Sequence, residues 1–218
     1  FNISLDEVLN WPELERFMLH QVFILNKNLR QNLKEYNFHK MYKELLNFCT
    51  LDLSSFYFDI RKDVLYCDSL GSKKRKNCVI ILNIILESLL KWFAPILVFT
   101  TDEIYSLINK NEESIHENHF VKIPKNWQNE KLNEKWSRLF KIKQEANIAI
   151  EEKRTNKEIG SSLEAEIKIT TGSKNFDLLD GLDLAEYFIT SKAEKIKSND
   201  QKNIKIEVKK ISGNKCPR

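Results

Sequence analysis

The sequence predicts a mainly α-helical fold, in which a helical bundle over residues 1–158 is followed by a small α+β module over residues 159–218. Two patterns predict the bundle. Apolar residues recur at three- and four-residue spacing in several long segments, and residues 79–93 are apolar almost all round. A third pattern predicts the module, because apolar and polar residues alternate from Leu163 onwards, as in a half-buried strand.

The first two helices should pack as an antiparallel hairpin. The first is predicted from about Trp11 to Lys34. Its inward stripe consists of Leu14, Met18, Gln21, Leu25 and Leu29. Tyr36 and Asn37 form a short link, after which Phe38 opens the second helix.

The second helix combines an apolar stripe with a polar opposite face. The stripe consists of Phe38, Tyr42, Leu45, Cys49, Leu53, Phe56 and Ile60. The opposite face should then present Asp52, Asp59, Arg61 and Lys62 to water or to a partner.

The third helix should form the centre of the bundle. Residues 79–93 are apolar almost all round, which predicts that neighbours cover this helix on several sides. Four basic residues, at positions 73–76, precede it. Ala94 and Pro95 should break or kink it, because proline lacks the amide proton and disfavours helical geometry just before it.

Two further helices and a small module complete the prediction. A short helix begins at Thr100 or Thr101, and a long helix runs from about Lys131 towards Gly160. The module should contain a strand over 163–170, a short helix over 174–179, and strands over 187–190 and 204–208.

Charge does not by itself indicate a nucleic-acid binder. Thirty-five basic residues face thirty-one acidic ones, for a net charge of +4, so a site for a polyanion has to come from local clusters. The candidate cations are Lys40, Lys43, Arg61, Lys62, Lys73, Lys74 and Arg75.

Two of these groups have features that suit RNA. Residues 73–75 precede a helix N-terminus, where phosphate binds well. Arg61 and Lys62 lie close in sequence to Tyr57, Phe58 and Tyr66, and unpaired bases stack on such rings. Each feature also has an ordinary structural explanation, since cations often solvate a helix start and most such rings belong to a core.

Catalytic, metal and membrane motifs are not evident. The four histidines have no nucleophile at suggestive spacing, and five glycines could hardly build a phosphate loop. Four widely spaced cysteines predict free thiols in a reducing compartment, and no secretory leader is expected, since no basic segment followed by an apolar core is visible. Polar residues interrupt the apolar segment 79–99, which favours a buried helix over a membrane span.

Three runs of sequence resemble class I isoleucyl-tRNA synthetases. DLSSFYFDIRKDVLYCD (52–68) is similar to a segment of their helical anticodon-binding domain, LLKWFAPILVFTTDEIY (89–105) to the central helix and turn, and KRTNKEIGSSLEAEI (153–167) to the following junction. Valyl- and leucyl-tRNA synthetases share much of this pattern. The wording FYFDIRKDVLY and the terminal KCPR favour isoleucine.

This resemblance implies a tRNA-binding part of an aminoacyl-tRNA ligase, with no catalytic centre of its own. The expected partner is the anticodon stem and loop of the isoleucine tRNA, with no DNA or membrane partner, in a cytoplasmic monomer. ATP and magnesium are expected in upstream domains of the complete enzyme, because the ATP-site signatures are absent from this chain. Cys216 resembles the first ligand of a downstream zinc knuckle, although one thiolate cannot complete a tetrahedral site.

A different function remains open on the residues alone. An amphipathic helical scaffold could bind a partner protein through an apolar groove and have no RNA function.

Overall fold

The computed structural model describes residues 5–109, 114–198 and 204–213. The chain forms two compact units, Phe1–Asn129 and Glu130–Arg218. Helices dominate the first unit, whereas the second combines helices with a three-stranded sheet. The predicted class, a helical bundle followed by a small α+β module, is confirmed.

The first unit contains six α-helices among its described residues. They are α1 (Leu5–Leu9), α2 (Glu13–Lys34), α3 (Phe38–Asn47), α4 (Asp59–Cys67), α5 (Lys73–Phe93) and α6 (Val98–Ile108). As predicted, α2 and α3 form a hairpin, and α2 also packs against α5. A buried hydrogen bond from Trp92 Nε1 of α5 to Asn26 Oδ1 of α2, at 3.1 Å, ties these two helices together.

A π-helical segment, Phe48–Phe58, joins α3 to α4 without a break. The residues at both of its ends have right-handed helical dihedral angles, so residues 38–67 form one continuous helix. A π-helix has a longer repeat than an α-helix. The five-residue step from Phe48 to Leu53 therefore keeps both side chains on the buried face.

The apolar stripe of this continuous helix is confirmed only in part. Leu45, Leu53, Phe56 and Ile60 are buried as predicted. Phe38 and Tyr42, at the start of the stripe, are instead largely exposed. Near the hairpin turn, Met41 is the residue of α3 that faces inward instead.

Helix α5 ends at Phe93, just before the predicted break at Ala94 and Pro95. Its buried face includes Cys78, Ile81, Ile84, Ile85, Leu90 and Trp92. As predicted, neighbours cover α5 on several sides, since α2, α4 and α6 all contact it, although Val79 and Leu86 are exposed.

The second unit contains the elements α7 (Glu130–Thr155), β1 (Ala165–Thr171), α8 (Ser173–Leu178), α9 (Leu184–Phe188), β2 (Lys192–Lys197) and β3 (Lys205–Lys210). The strand order is β2-β1-β3, with β2 parallel and β3 antiparallel to β1. Ala165, Ile167 and Ile169 of β1 are fully buried, which confirms the predicted alternation.

The strand predicted over residues 187–190 is wrong. Tyr187 and Phe188 end α9, and Ile189 then turns through a left-handed conformation at φ 57°. The apolar residues Tyr187 and Phe188 form a buried face of α9 instead of a strand. The Tyr187 ring packs edge-on against Trp136 of α7. The strand itself follows at residues 192–197, in a stretch of charged side chains.

By its contacts, α7 belongs to the second compact unit, where it packs against β3 and α9. The boundary that we predict between residues 158 and 159 follows the change of sequence pattern, and it stays a prediction.

Candidate nucleic-acid interface

The candidate cations fall into two clusters at opposite ends of the continuous helix 38–67. Lys40 and Lys43 are exposed on α3, near its first turn. Lys62 of α4 lies near the other end, which leads into Lys73, Lys74 and Arg75 at the start of α5. At 1.5 Å per residue the helix spans about 40 Å, so the two clusters are separate sites on this unit.

We call the second group the α4–α5 cluster, defined by Lys62, Tyr66, Lys73, Lys74 and Arg75. Lys62 and Tyr66 are four residues apart on α4 and therefore lie on one helix face. The Tyr66 ring is 88% exposed, so it contributes little to the core and is available to a partner.

The turn between α4 and α5 is fixed by local hydrogen bonds. Ser72 caps α5, because its Oγ accepts from the backbone N–H of Arg75 at 3.3 Å, and the same hydroxyl donates to Asp68 Oδ2 at 2.7 Å. Arg75 Nε donates to the Leu65 carbonyl at 3.1 Å. Arg75 thus has a structural role in this turn, whereas Lys73 is exposed to solvent.

Charge at the start of α5 opposes the helix dipole. Its first turn contains no acidic residue, and it begins with four cations at positions 73–76. Cations at a helix N-terminus face the positive end of the dipole, which is unfavourable by a few tenths of a kcal/mol each, on the order of 0.3 or more. An anion bound at this turn would relieve that repulsion.

Arg61 is a correction to the predicted site. Its side chain is buried, with 3% of the residue exposed, and it forms an ion pair with fully buried Glu15 of α2. The guanidinium is therefore out of reach of a ligand on the surface, so the prediction that Arg61 binds tRNA is wrong. Arg61 lies four residues after buried Tyr57, so the continuous helix points both side chains inward.

The pair belongs to a buried polar cluster that joins α2, the continuous helix 38–67 and α5. Arg61 donates from Nε to Glu15 Oε1 at 2.7 Å and from Nη2 to Glu15 Oε2 at 2.8 Å. The Tyr57 hydroxyl lies 3.2 Å from Glu15 Oε1 and 3.2 Å from Cys78 Sγ. Burial, reinforced by the Glu15 carboxylate, raises the pKa of Tyr57 well above its ordinary value.

Lys62 remains at the surface and has a local partner. Its Nζ forms an ion pair with Asp59 Oδ1 at 2.7 Å, one helical turn back, and both side chains are more than a third exposed. Such exposed pairs are worth well under about 1 kcal/mol. A phosphate can therefore replace Asp59 as the partner of Lys62 at little cost.

The sequence prediction missed two exposed rings beside Lys40. Tyr36, in the link between α2 and α3, is 80% exposed, and Phe38, which the sequence pattern assigns to the buried stripe, is 49% exposed. One sequence signal could have indicated Tyr36. The residue just past a helix end often requires positive φ and is usually glycine, so a tyrosine there is unusual.

Two of the histidines have contacts with the main chain. His20 is buried and accepts from the backbone N–H of Asn129 at 3.0 Å through Nδ1, and His116 Nε2 lies 3.2 Å from the Val98 carbonyl. Within residues 5–109, 114–198 and 204–213, no group of three or more His, Cys, Asp and Glu side chains is placed to hold a metal ion. Cys216 lies outside the described residues.

No helix in the described part of the chain has both the length and the apolar character to cross a membrane. Cys49, Cys67 and Cys78 carry thiols and are not joined by disulfide bonds.

Comparison with known proteins identifies the family of the bundle. The family described as "Anticodon-binding domain of tRNA ligase" matches residues 15–169. The chain belongs to this family. All of the candidate cations in both clusters lie within the matched region of this anticodon-binding domain.

Individual relatives agree with the resemblance to isoleucyl-tRNA synthetases. The chain is 56% identical to the isoleucine–tRNA ligase of Pelagibacter ubique (strain HTCC1062), over 98% of the chain and 23% of that protein. It is 40% identical to the isoleucine–tRNA ligase of Bartonella quintana (strain Toulouse), over 83% of the chain and 19% of that protein. The isoleucine–tRNA ligase of Agrobacterium fabrum is 36% identical, over 95% of the chain and 22% of that protein. The chain thus spans about a quarter or less of the relatives it matches.

Proposed function

We propose that this anticodon-binding domain binds the anticodon stem and loop of the isoleucine tRNA, as part of an isoleucine–tRNA ligase. The observation that carries the proposal is the family match over residues 15–169, which includes Lys40, Lys43 and the whole α4–α5 cluster. The proposal includes ATP and magnesium in other domains of the complete enzyme, a zinc knuckle that begins at Cys216, and a cytoplasmic monomer.

The α4–α5 cluster supplies the chemistry that such a ligand needs. A tRNA stem and loop presents a ridge of phosphates and a few unpaired bases. We expect Lys73 and Lys62 to bind phosphates, and the exposed Tyr66 ring offers a face for a base. Arg75 contributes charge while it holds the turn through the Leu65 carbonyl.

A charge-reversal variant tests this assignment. Lys73→Glu with Lys74→Glu leaves Arg75 in place, and acidic residues in the first turn of a helix are favourable, so the fold should be retained. We expect weaker tRNA binding and a salt dependence whose slope falls by about 1 for each phosphate that the lysines no longer neutralise. The matched control is Lys141→Glu with Lys174→Glu, which makes the same charge change at exposed lysines of the second unit.

Binding is measured by fluorescence anisotropy over a series of salt concentrations, with transcripts of the isoleucine, valine and leucine tRNAs. Tighter binding of the isoleucine transcript supports the proposal that the ligand is the isoleucine tRNA. Tighter binding of the valine or leucine transcript means that the domain recognises that tRNA instead. Equal affinity and slope for the two double variants would remove the α4–α5 cluster from the interface.

A protein-binding scaffold is the second candidate, and one surface favours it. Helix α6 exposes several apolar side chains, among them Phe99 at 89% and Leu107 at 78%. A surface of this kind is typical of a protein contact. If the wild-type chain binds none of the three tRNA transcripts, the RNA proposal fails and this second function is favoured.

A further inference from the structure

The turn between α2 and α3 is formed by main-chain hydrogen bonds, in which no aromatic side chain takes part. The backbone N–H of Tyr36 donates to the Leu33 carbonyl at 3.2 Å, and that of Asn37 donates to the Asn32 carbonyl at 2.8 Å. These two bonds define a Schellman motif. Asn37 then caps α3, since its side chain accepts from the backbone N–H of Lys40 at 3.3 Å.

Tyr36 occupies the position of this motif that favours glycine. Its φ is 53°, in the left-handed region, where a Cβ atom crowds the neighbouring carbonyl. Glycine or asparagine would adopt this conformation with less strain, although Lys157 and Ile189 also have positive φ at helix ends in this chain. A strained residue that the fold does not require is a reason to look for a function.

The Tyr36 ring does not pack in a core. It is 80% exposed, and its ring contact is with Phe38, itself 49% exposed. The two ring centroids are 6.3 Å apart with an interplanar angle of 72°, an edge-to-face pair. Tyr42, one helical turn after Phe38, is also largely exposed, so an aromatic surface extends from the turn along α3.

The charge around these rings is positive. Residues 34–43 contain the lysines Lys34, Lys40 and Lys43 and a single carboxylate, Glu35, whose Oε1 accepts from Gln31 Nε2. All three lysines are exposed. Exposed rings interleaved with lysines match a single-stranded nucleic acid, whose bases stack while its phosphates meet the cations.

We propose that Tyr36 and Phe38 form a stacking site for an unpaired RNA base, and that the exposed lysines of this segment, Lys34, Lys40 and Lys43, bind phosphates of the same strand. The ligand is single-stranded RNA, such as a loop, because bases within a duplex do not expose their faces. This proposal rests on the proposed function, but its site is distinct. Along the continuous helix, Phe38 lies roughly 35 Å from Lys62 of the α4–α5 cluster.

Two substitutions at Tyr36 separate stacking from folding. Tyr36→Asn removes the ring and keeps a side chain that tolerates positive φ, and Tyr36→Phe keeps a ring at the same position. We expect Tyr36→Asn to weaken binding of a hairpin RNA with an unpaired loop by about five-fold or more, and Tyr36→Phe to bind as the wild type does. Binding of a blunt duplex with the same stem should not change in either variant.

A fluorescent base reports the stacking directly. The adenine analogue 2-aminopurine is quenched when it stacks, so one loop position should show a change in fluorescence on binding that disappears in Tyr36→Asn. The melting temperature of each variant, measured by circular dichroism, shows that the fold is retained. If Tyr36→Asn binds the hairpin as tightly as the wild type, the stacking site is wrong. If the wild type binds neither RNA, the proposed function fails instead.

Discussion

The guanidinium of Arg61 and the carboxylate of Glu15 form a two-bond ion pair in the interior of the first unit, at 2.7 and 2.8 Å. Neither side chain has more than 4% of its surface exposed. Because each charge is removed from water, each depends on the other for compensation. The pair links α2 to α4, and it makes the fold of the bundle sensitive to the removal of one partner.

Arg61→Met should destabilise the first unit by about 3–5 kcal/mol, because it leaves the Glu15 carboxylate buried without this counter-charge. The double variant Glu15→Leu with Arg61→Met should recover most of that stability, since it removes both charges. Urea unfolding followed by circular dichroism measures the difference. A single variant as stable as the wild type would show that Glu15 has another source of compensation.

The stability of the folded chain should fall at alkaline pH because Tyr57 and Tyr187 are buried. Burial and the Glu15 carboxylate raise the pKa of Tyr57, and burial also raises the pKa of Tyr187. Both tyrosines stay protonated in the folded chain when unfolded tyrosines ionise. The stability that they contribute is therefore complete below about pH 10 and falls as the pH rises above it.

The ultraviolet absorbance of tyrosinate tests this directly. At about pH 11 the folded chain should ionise fewer than its six tyrosines, and denaturant should release the rest. Tyr57→Phe and Tyr187→Phe should each make stability fall less steeply with pH. Ionisation of all six tyrosines in the folded chain would contradict the burial of these hydroxyls.

Asp52 should destabilise the folded chain at neutral pH. Burial in the π-helical segment raises its pKa to about 6. The contribution of a carboxyl with a raised pKa is complete below about pH 4, its unfolded value, and is lost as the pH rises through 6. After allowance for partial exposure, Asp52→Asn should stabilise the chain by about 1–2 kcal/mol at pH 7.

The difference between Asp52→Asn and the wild type should become small near pH 4, because the carboxyl of folded Asp52 is then protonated and neutral. Urea unfolding at the two pH values measures it. Asp63→Asn is a matched control on an exposed carboxyl of α4, and it should change stability little at either pH.

The sequence predicts the helices and the family, but not which side chains of residues 38–67 face inward. A uniform α-helical period places Arg61 on the outer face, beside Lys62. The π-helical segment changes the phase of the helix, so Tyr57 and Arg61 point inward to Glu15. No local pattern in the sequence indicates that segment, because it depends on packing against α2 and α5.

In the second unit, too, the sequence predicts some elements and not others. Ile167 and Ile169 alternate with polar residues, and β1 agrees with the prediction, because period-two burial is local information. The apolar residues 187–190 also suit a strand, yet Tyr187 is placed by its contact with Trp136, far away in sequence. The charged strand β2 forms beside β1 because its backbone completes the sheet rather than because its side chains are apolar.

Tyr36→Gly should leave the chain as stable as the wild type or more so, by up to about 1 kcal/mol. Glycine removes a left-handed strain of about 1–2 kcal/mol, and its greater freedom in the unfolded chain offsets about 0.5–1 kcal/mol of that gain. Tyr36→Ala, which keeps the strain and also lacks the ring, should be less stable than Tyr36→Gly. Thermal unfolding of the two variants gives the difference, and the reverse order would mean that the ring stabilises the turn.

Asp59→Asn should strengthen RNA binding while it hardly changes stability. The exposed pair of Asp59 with Lys62 is worth about 0.5 kcal/mol or less, so the fold does not depend on it. Removal of the carboxylate leaves Lys62 available to a phosphate and takes a negative charge away from the α4–α5 cluster. The affinity for the isoleucine tRNA should rise, and the magnitude of its salt slope should increase by up to about 1.

Glu87→Gln is the control, because Glu87 is about as exposed as Asp59 and forms an ion pair near the other end of α5, with the less exposed Lys91. It removes the same charge about 20 Å from the start of that helix, beyond the screening length at physiological salt. Its effect on RNA affinity should therefore be much smaller than that of Asp59→Asn. If both variants raised RNA affinity equally, the affinity would depend only on net charge, and Lys62 would make no direct contact with phosphate.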